Sequence, residues 1–168
     1  MKKFLYIRGN PGTGKITVAR KIQEKSGWRL FWFHDLKNTV YEIVKEHRIP
    51  RLMDEITAPV IKHLLEKGES VIYVRPSPDK ETVNNIRKIV ELYPGYDFQV
   101  VRLNADYDTL HSRVTERNDP YRISDKESLD KYLNERSVAD IDGEYLVETN
   151  NLSPEEVTEK ILKLIKSE

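Results

Sequence analysis

The stretch Gly9-Asn10-Pro11-Gly12-Thr13-Gly14-Lys15-Ile16-Thr17 decides the fold. It follows the apolar run Phe4–Ile7, which predicts a strand, and it precedes an amphipathic pattern that predicts a helix from about Lys15 to Lys25. Glycines allow positive φ angles, so backbone N–H groups can approach an anion closely, and a helix N-terminus adds a favourable partial charge. A turn followed by a chance lysine is the alternative. The strand–loop–helix context favours a loop that binds phosphate through its amides and the Lys15 ammonium.

The residue after the lysine departs from the full phosphate-loop pattern. That pattern places Ser or Thr there, because the hydroxyl ligates Mg²⁺. This chain has Ile16, and the first hydroxyl comes at Thr17. Successive helix residues point about 100° apart, so Thr17 does not take over the same role, although it can reach an inner phosphate. Isoleucine at position 16 is therefore expected to affect Mg²⁺ coordination more than phosphate binding.

Short apolar runs alternate with longer amphipathic stretches along the whole chain. Continuous apolar runs are typical of parallel strands covered on both faces, and strand–helix alternation predicts an α/β fold. A helix is expected over about 51–67, kinked or restarted at Pro59. Helix starts are expected at Ser77, at Ser124 in a capping box with Glu127, and at Ser153. The five expected strands are Phe4–Ile7, Leu30–Phe33, Val71–Val74, Phe98–Leu103 and Tyr145–Val147.

Composition narrows the class of protein. A chain of 168 residues predicts one domain, 1–168. It has no cysteine, which excludes disulfides, thiolate metal sites and a cysteine nucleophile. The 28 basic and 28 acidic residues give zero net charge, which argues against a dedicated nucleic-acid binder. Neither a membrane span of roughly 18 apolar residues nor a signal sequence is visible, so a soluble cytoplasmic protein is expected.

On its glycine-rich loop and its order of segments, the chain resembles the small P-loop kinases, the group of shikimate, gluconate, adenylate and chloramphenicol kinases. The likeness covers nearly the whole length, and the loop is its specific part. It implies a three-layer P-loop NTPase fold with a five-stranded parallel sheet and a small lid at about 113–136. It also implies ATP and Mg²⁺ as cofactors, with residues 10–17 holding the nucleotide. The implied reaction transfers the γ-phosphoryl group to a small-molecule or nucleotide acceptor.

The second expected strand ends in Phe31-Trp32-Phe33-His34-Asp35. Ligands of open α/β sheets bind at the carboxyl ends of strands. The resemblance makes Asp35 the candidate that orients the acceptor, acts as general base, or helps place Mg²⁺ through water. The alternative is a helix N-cap. His34 is more simply a partly buried histidine, and most of the aromatic cluster formed by Trp28, Phe31, Trp32, Phe33 and Tyr41 is expected in the core.

Arginines cluster in the expected lid. Arg113 and Arg117 are four residues apart and share a helix face, and Arg122 lies beyond an Asn-Asp-Pro break. By the resemblance, Arg113 flanks the adenine, while Arg117 or Arg122 clamps phosphates. In the same way, Asn151 after the last strand is expected to touch the adenine. The alternatives are a solvated charged helix and a plain helix-capping loop.

The third strand ends at Arg75, where many P-loop proteins carry a metal-positioning Asp. A cation repels Mg²⁺ there, although it can bind a phosphate. Together with Ile16, this keeps a second reading open: a nucleotide-binding protein with little catalysis. A nucleic-acid-end kinase is a lesser alternative, because the net charge is zero. A remodelling ATPase would need a longer chain. The acceptor and the oligomeric state stay open.

Overall fold

The computed structural model describes residues 1–45, 50–76, 79–116, 122–136 and 138–166. The strands are β1 (Lys2–Gly9), β2 (Arg29–Trp32), β3 (Val71–Val74), β4 (Tyr96–Asn104) and β5 (Tyr145–Glu148). The helices are α1 (Lys15–Ser26), α2 (Phe33–Val44), α3 (Pro50–Glu66), α4 (Lys80–Glu91), α5 (Tyr107–Thr115), α6 (Lys126–Glu135) and α7 (Pro154–Leu164). Within these ranges, no helix is both long and apolar enough to cross a membrane.

The five strands form one parallel sheet in the order β2-β3-β1-β4-β5, which confirms the expected α/β class. Alternate side chains of a strand point to opposite faces. Accordingly, Phe4 and Tyr6 pack with α2, α3 and α4, whereas Leu5 and Ile7 pack with α1 and α7. Helices thus cover both faces, and β1 is buried at the centre.

The strand order creates a crevice at the carboxyl ends of β1 and β3. These two strands are neighbours, with Ile7 level with Val74. The chain leaves β1 for α1 on one face of the sheet, and it leaves β3 for α4 on the other face. Ligands of open α/β sheets bind where successive connections diverge in this way. The fold therefore places the glycine-rich loop at the edge of a ready-made cleft.

Three local expectations need correction. β2 ends at Trp32, and Phe33 is already the first residue of α2. The alternative role of Asp35 as a helix N-cap is wrong, because Asp35 lies inside the first turn of α2. Helix α3 runs unbroken through the exposed Pro59, so it does not restart there, and a kink at Pro59 stays a prediction.

The expected helix starts have mixed outcomes. Asp79, not Ser77, caps α4, and Ser77 and Pro78 lie outside the described residues. The expected capping box at Ser124 is wrong: Asp125 caps α6, one residue later. Aspartate caps as well as serine does, so the pattern allowed both registers. The capping box at Ser153, which caps α7, is confirmed.

Candidate functional site

The glycine-rich loop has a backbone that side chains would disturb. Gly9, Gly12 and Gly14 have φ angles of 137°, 91° and 83°. A Cβ atom on Gly9 would lie 2.3 Å from the carbonyl oxygen of Leu103, far inside contact distance. A Cβ on Gly14 would meet nothing within 4 Å, so there only the backbone angle favours glycine. The loop after β1 is therefore held tightly against β4 at its start and lies open where α1 begins.

Polar groups of the loop converge on its own backbone. The Lys15 ammonium donates to the Asn10 carbonyl oxygen at 2.7 Å, and the buried Thr13 hydroxyl donates to the same oxygen at 2.9 Å. The Asn10 side-chain Oδ1 is buried, and no partner for it lies among the described residues. A buried polar atom without a partner costs roughly 1–3 kcal/mol, so a ligand that pairs with this amide would be favoured.

The larger of two cavities beside the loop occupies the crevice between β1 and β3. Its volume is about 520 Å³. All four charged side chains among its described lining residues are basic, and they come from the loop, from α2 and from the expected lid. The lining residues are Pro11, Gly12, Gly14, Lys15, Ile16, Thr17, Trp32, His34, Lys37, Val74, Pro76, Arg122, Ile123, Tyr132 and Arg136.

Trp32 joins the expected lid to the sheet. The Arg122 guanidinium lies 4.5 Å from the centre of the Trp32 ring, and the Arg20 guanidinium lies 5.8 Å from it. Cation–π contacts of this kind contribute about 0.5–1 kcal/mol at exposed sites. Of the aromatic cluster, Trp32 lines the cavity, whereas Phe31 and Phe33 pack in the core. Arg122 therefore lines the cavity, and its expected role of clamping phosphates stays a prediction.

Asp35 is exposed, and it is not among the side chains that line the cavity. His34 and Lys37, three residues apart on α2, both line it. Along a helix, Asp35 points about 100° away from His34 and about 160° away from Lys37. Its expected role as base, acceptor ligand or water-mediated metal ligand stays a prediction that this geometry does not favour.

Arg75 stabilises the packing of three elements. Its guanidinium pairs with Asp54 of α3 at 2.9 Å and lies 4.3 Å from the centre of the Phe33 ring. Burial raises the pKa of the neighbouring Tyr73 to about 12, although Arg75 opposes the shift, so the phenol stays neutral. The cavity is lined by Val74 and Pro76, on either side of Arg75 in the chain.

A smaller cavity of about 270 Å³ lies on the other side of the loop, toward β4 and β5. Arg113 crosses it: Nη2 donates to the Thr149 carbonyl oxygen at 2.9 Å, and Nη1 donates to Thr149 Oγ1 at 3.0 Å. Asn151 is exposed in a left-handed turn, and the cavity is instead lined by its neighbours in the same loop. The lining residues are Gly12, Thr13, Gly14, Thr17, Val18, Arg113, Thr149, Leu152, Pro154 and Val157.

The structure thus brings Arg113, Lys15 and Arg122 to the two sides of one loop. Arg117 lies outside the described residues. Lys37, Tyr132 and Arg136 also line the larger cavity, and sequence reasoning missed them. Lys37 lies on the same expected helix as Asp35, two positions on. Its position two residues after Asp35 was the one feature of the sequence that could have identified Lys37 as a candidate site residue.

A buried ion cluster beneath the loop was also missed. Arg8, directly before Gly9, is fully buried and pairs with Glu144 at 2.7 Å. Arg102, level with Arg8 on β4, contacts the same carboxylate at 3.2 Å. Arg8 also donates to the Ala139 carbonyl oxygen at 2.9 Å. The cluster ties the segment before β5 to the strand that carries the loop. In the sequence, the cluster is indicated only by the two arginines within otherwise apolar strands.

No protein-family model and no curated sequence matches the chain. Solved structures do resemble it. A sugar kinase from Janibacter has a TM-score of 0.70 at 16% identity, with 99% of this chain and 95% of that chain covered. A gluconokinase from Sinorhizobium meliloti has a TM-score of 0.65 at 17% identity, with 98% of this chain and 92% of that chain covered. A shikimate kinase from Acinetobacter baumannii in complex with shikimate has a TM-score of 0.58 at 18% identity, with 99% of this chain and 94% of that chain covered. The chain has the fold of the small P-loop kinases.

Proposed function

We propose that this protein is an ATP-dependent phosphotransferase acting on a small molecule. The observation that carries the proposal is one loop shared by two cavities. Gly12, Gly14 and Thr17 line both, so a ligand phosphate at the loop faces a separate space on either side. That is the arrangement a reaction between two substrates needs, because each substrate reaches the phosphate from its own side.

In this proposal the nucleoside occupies the smaller cavity, beside Arg113 and the 149–154 loop, and the acceptor enters the larger one. The loop amides and Lys15 hold the β- and γ-phosphates. The acceptor hydroxyl attacks the γ-phosphorus and forms a new P–O bond, while the bond to the β,γ-bridging oxygen breaks. ADP leaves with that electron pair, and the hydroxyl proton passes to water. Arg122, and Arg117 by the resemblance, would offset the charge of the transferring group.

The residues do not fit a magnesium ion coordinated directly by the protein. Ile16 offers no oxygen, and Arg75 is a cation where an acid is usual. No three histidine or acidic side chains come together as a metal site within the described ranges. Magnesium prefers oxygen ligands and keeps several waters, so an ion would arrive with the nucleotide phosphates. We assign no step to it.

Nucleotide binding with little catalysis is a second candidate function. Ile16 and the direction of Asp35 favour it, because both leave the larger cavity without the oxygen ligands and the base that phosphotransferases commonly use. Replacing Ile16 with threonine separates the candidates. A weakened metal site predicts faster Mg²⁺-dependent turnover in Ile16→Thr, whereas a site adapted to isoleucine predicts slower turnover.

The direct test offers the protein γ-labelled ATP with hydroxylated small molecules, with a 5′-hydroxyl oligonucleotide, and with water alone. Transfer of label to a small molecule, lost in Lys15→Ala and kept in Lys160→Ala, is the expected result. Lys160 is an exposed lysine on α7 and serves as the matched control. Transfer to the oligonucleotide alone would contradict the proposal. ATP binding without any transfer would select the binding protein.

A further inference from the structure

Two arginines of the sheet hold the chain where it returns from α6 to β5. That return, the 138–144 segment, forms neither a helix nor a strand. Arg8 Nη2 donates to the Ala139 carbonyl oxygen at 2.9 Å, and Arg102 Nη1 donates to the carbonyl oxygen one residue earlier at 3.3 Å. Both guanidinium groups also contact Glu144, at the end of the same segment. Side chains of β1 and β4 therefore fix the segment at both of its ends.

An ion cluster is a costly way to hold a segment in place. Arg8 is fully buried, and the Glu144 side chain is 5% exposed. Removing such charges from water costs free energy that their attraction barely offsets, so packed apolar side chains of similar volume are often at least as stabilising. What apolar side chains lack is direction. The planar fork of Arg8 binds Glu144 and the Ala139 carbonyl oxygen at once, and this defines where the segment lies.

The cluster joins two walls of the larger cavity. Arg8 and Arg102 are level with each other on β1 and β4, and the residues that follow them, Gly9 and Leu103, make the tight contact at the base of the loop. On the other side, the 138–144 segment begins two residues after Arg136, which ends α6 and lines the cavity. One wall is the phosphate loop and the other is the end of α6, so the cluster sets the spacing between them.

We infer that Arg8, Arg102 and Glu144 are positioning residues: they hold the end of α6 at a fixed distance from the phosphate loop while the phosphoryl group is transferred. The inference rests on the proposed function and gives these three residues no contact with either substrate. A misplacement of about 1 Å can cost roughly 100-fold in rate. Loss of the spacing should therefore reduce turnover far more than it reduces nucleotide affinity.

The main test replaces the whole cluster with apolar side chains of similar volume, as Arg8→Met, Arg102→Met and Glu144→Leu together. Urea unfolding should show a variant about as stable as the parent protein, because no buried charge is left without a partner. We expect the label-transfer rate at saturating ATP to fall about 100-fold, while the Kd of ADP changes by less than about 3-fold. A purely structural cluster predicts that recovered stability brings a recovered rate.

The same two strands supply the matched control. Lys3 and Asp97 form an ion pair at their amino ends, away from the loop, and Lys3→Met with Asp97→Leu should leave the rate unchanged. Arg8→Lys decides the question if the apolar variant does not fold. Lysine keeps the charge opposite Glu144 but lacks the fork that also reaches Ala139, so we expect a rate about 10-fold below that of the parent protein.

A distance measurement tests the positioning separately from turnover. The chain has no cysteine, so Glu24→Cys on α1 and Lys131→Cys on α6, both at exposed residues, accept nitroxide labels at two defined positions. Double electron–electron resonance then gives the distribution of distances between α1, which begins at the loop, and α6. We expect a narrow distribution in the otherwise unchanged protein and in the Lys3 and Asp97 control, and a wider or shifted one in the apolar variant and in Arg8→Lys.

A parent-like rate in the folded apolar variant or in Arg8→Lys overturns the inference. An unchanged distance distribution in these variants also overturns it, because the cluster then does not act through position. The two proposals fail in different ways. If the parent protein transfers no label to any acceptor, the proposed function is wrong, and the distance distribution still decides whether the cluster positions α6. If label is transferred equally well without the cluster, only the positioning role is wrong.

Discussion

The two cavities that share the loop are built differently. The smaller one is lined by the loop backbone and by side chains that bind neighbouring groups, as Arg113 binds both oxygens of Thr149. The larger one is lined by four long basic side chains, and two of them, Lys37 and Arg136, have no acidic partner among the described residues. A site whose groups already hold each other loses little freedom on binding. We therefore expect a rigid nucleotide side and an acceptor side that orders around its ligand.

Arg122→Ala should have the largest effect and should act on the larger cavity alone. An arginine over the transferring phosphoryl group contributes roughly 10³-fold or more to the rate in comparable enzymes. We expect the label-transfer rate at saturating ATP to fall by about that factor, while ATP affinity changes by less than about 3-fold, because the nucleoside side is intact. Lys131→Ala, at an exposed lysine on α6, should leave both unchanged. A loss of ATP affinity with an unchanged rate would move Arg122 to the nucleotide side.

Gly9→Ala and Gly14→Ala test the part of the loop that both cavities share. Alanine at Gly9 meets the Leu103 carbonyl oxygen and takes a strained φ, which together cost roughly 2–5 kcal/mol of unfolding free energy. Alanine at Gly14 has only the backbone cost, about 1–2 kcal/mol. Urea unfolding of the two variants measures the difference. Equal losses would mean that the loop does not press against β4.

Much of the fold and the loop was predictable, because those signals are local. Five apolar runs predicted the five strands, and the glycine spacing predicted the strand–loop–helix unit. The start of α2 was not predictable to the residue. A shift of one residue in a helix turns every later side chain by about 100°, and this decides whether Asp35 or Lys37 faces the cavity.

The remaining site residues depend on tertiary contacts. Arg136 reaches the cavity from the end of α6, far along the chain from the loop. Glu144 can pair with both Arg8 and Arg102 only because β1 and β4 place these two arginines side by side. A single sequence gives no indication of such pairings.

Arg113→Ala should weaken nucleotide binding by about 10-fold and leave acceptor binding unchanged, because the charged fork that orders the 149–154 loop is lost. Calorimetric titration with ADP measures the first effect, and the KM of the acceptor in the label-transfer assay measures the second. Arg113→Lys keeps the charge without the fork and should recover only part of the affinity. Full recovery would show that charge alone matters there.

The smallest expected effect is on the free energy of unfolding at low pH, through the aspartates that cap α5 and α6. Asp106 caps α5 and Asp125 caps α6, and the backbone and side-chain hydrogen bonds from Thr109 and Ser128 lower the pKa of each carboxyl below 3.8. Their contribution is therefore present above pH 3.8 and is lost as the pH falls through the folded pKa.

Asparagine caps helices about as well as aspartate but does not titrate. Asp106→Asn should keep its stability at pH 7 and lose less of it than the parent protein as the pH falls below 3.8. Urea unfolding across that range is the measurement. An identical pH dependence in both proteins would exclude Asp106 as a titrating cap.

Thermal unfolding with and without ATP tests the central claim, that the loop binds a nucleotide through Lys15. A ligand at 100 times its Kd adds about 2.7 kcal/mol, which for a chain of this size raises Tm by roughly 5–10 °C. We predict that rise in the parent protein and in Lys160→Ala, and none in Lys15→Ala. An equal rise in Lys15→Ala, or no rise in the parent protein at saturating ATP, would contradict the account.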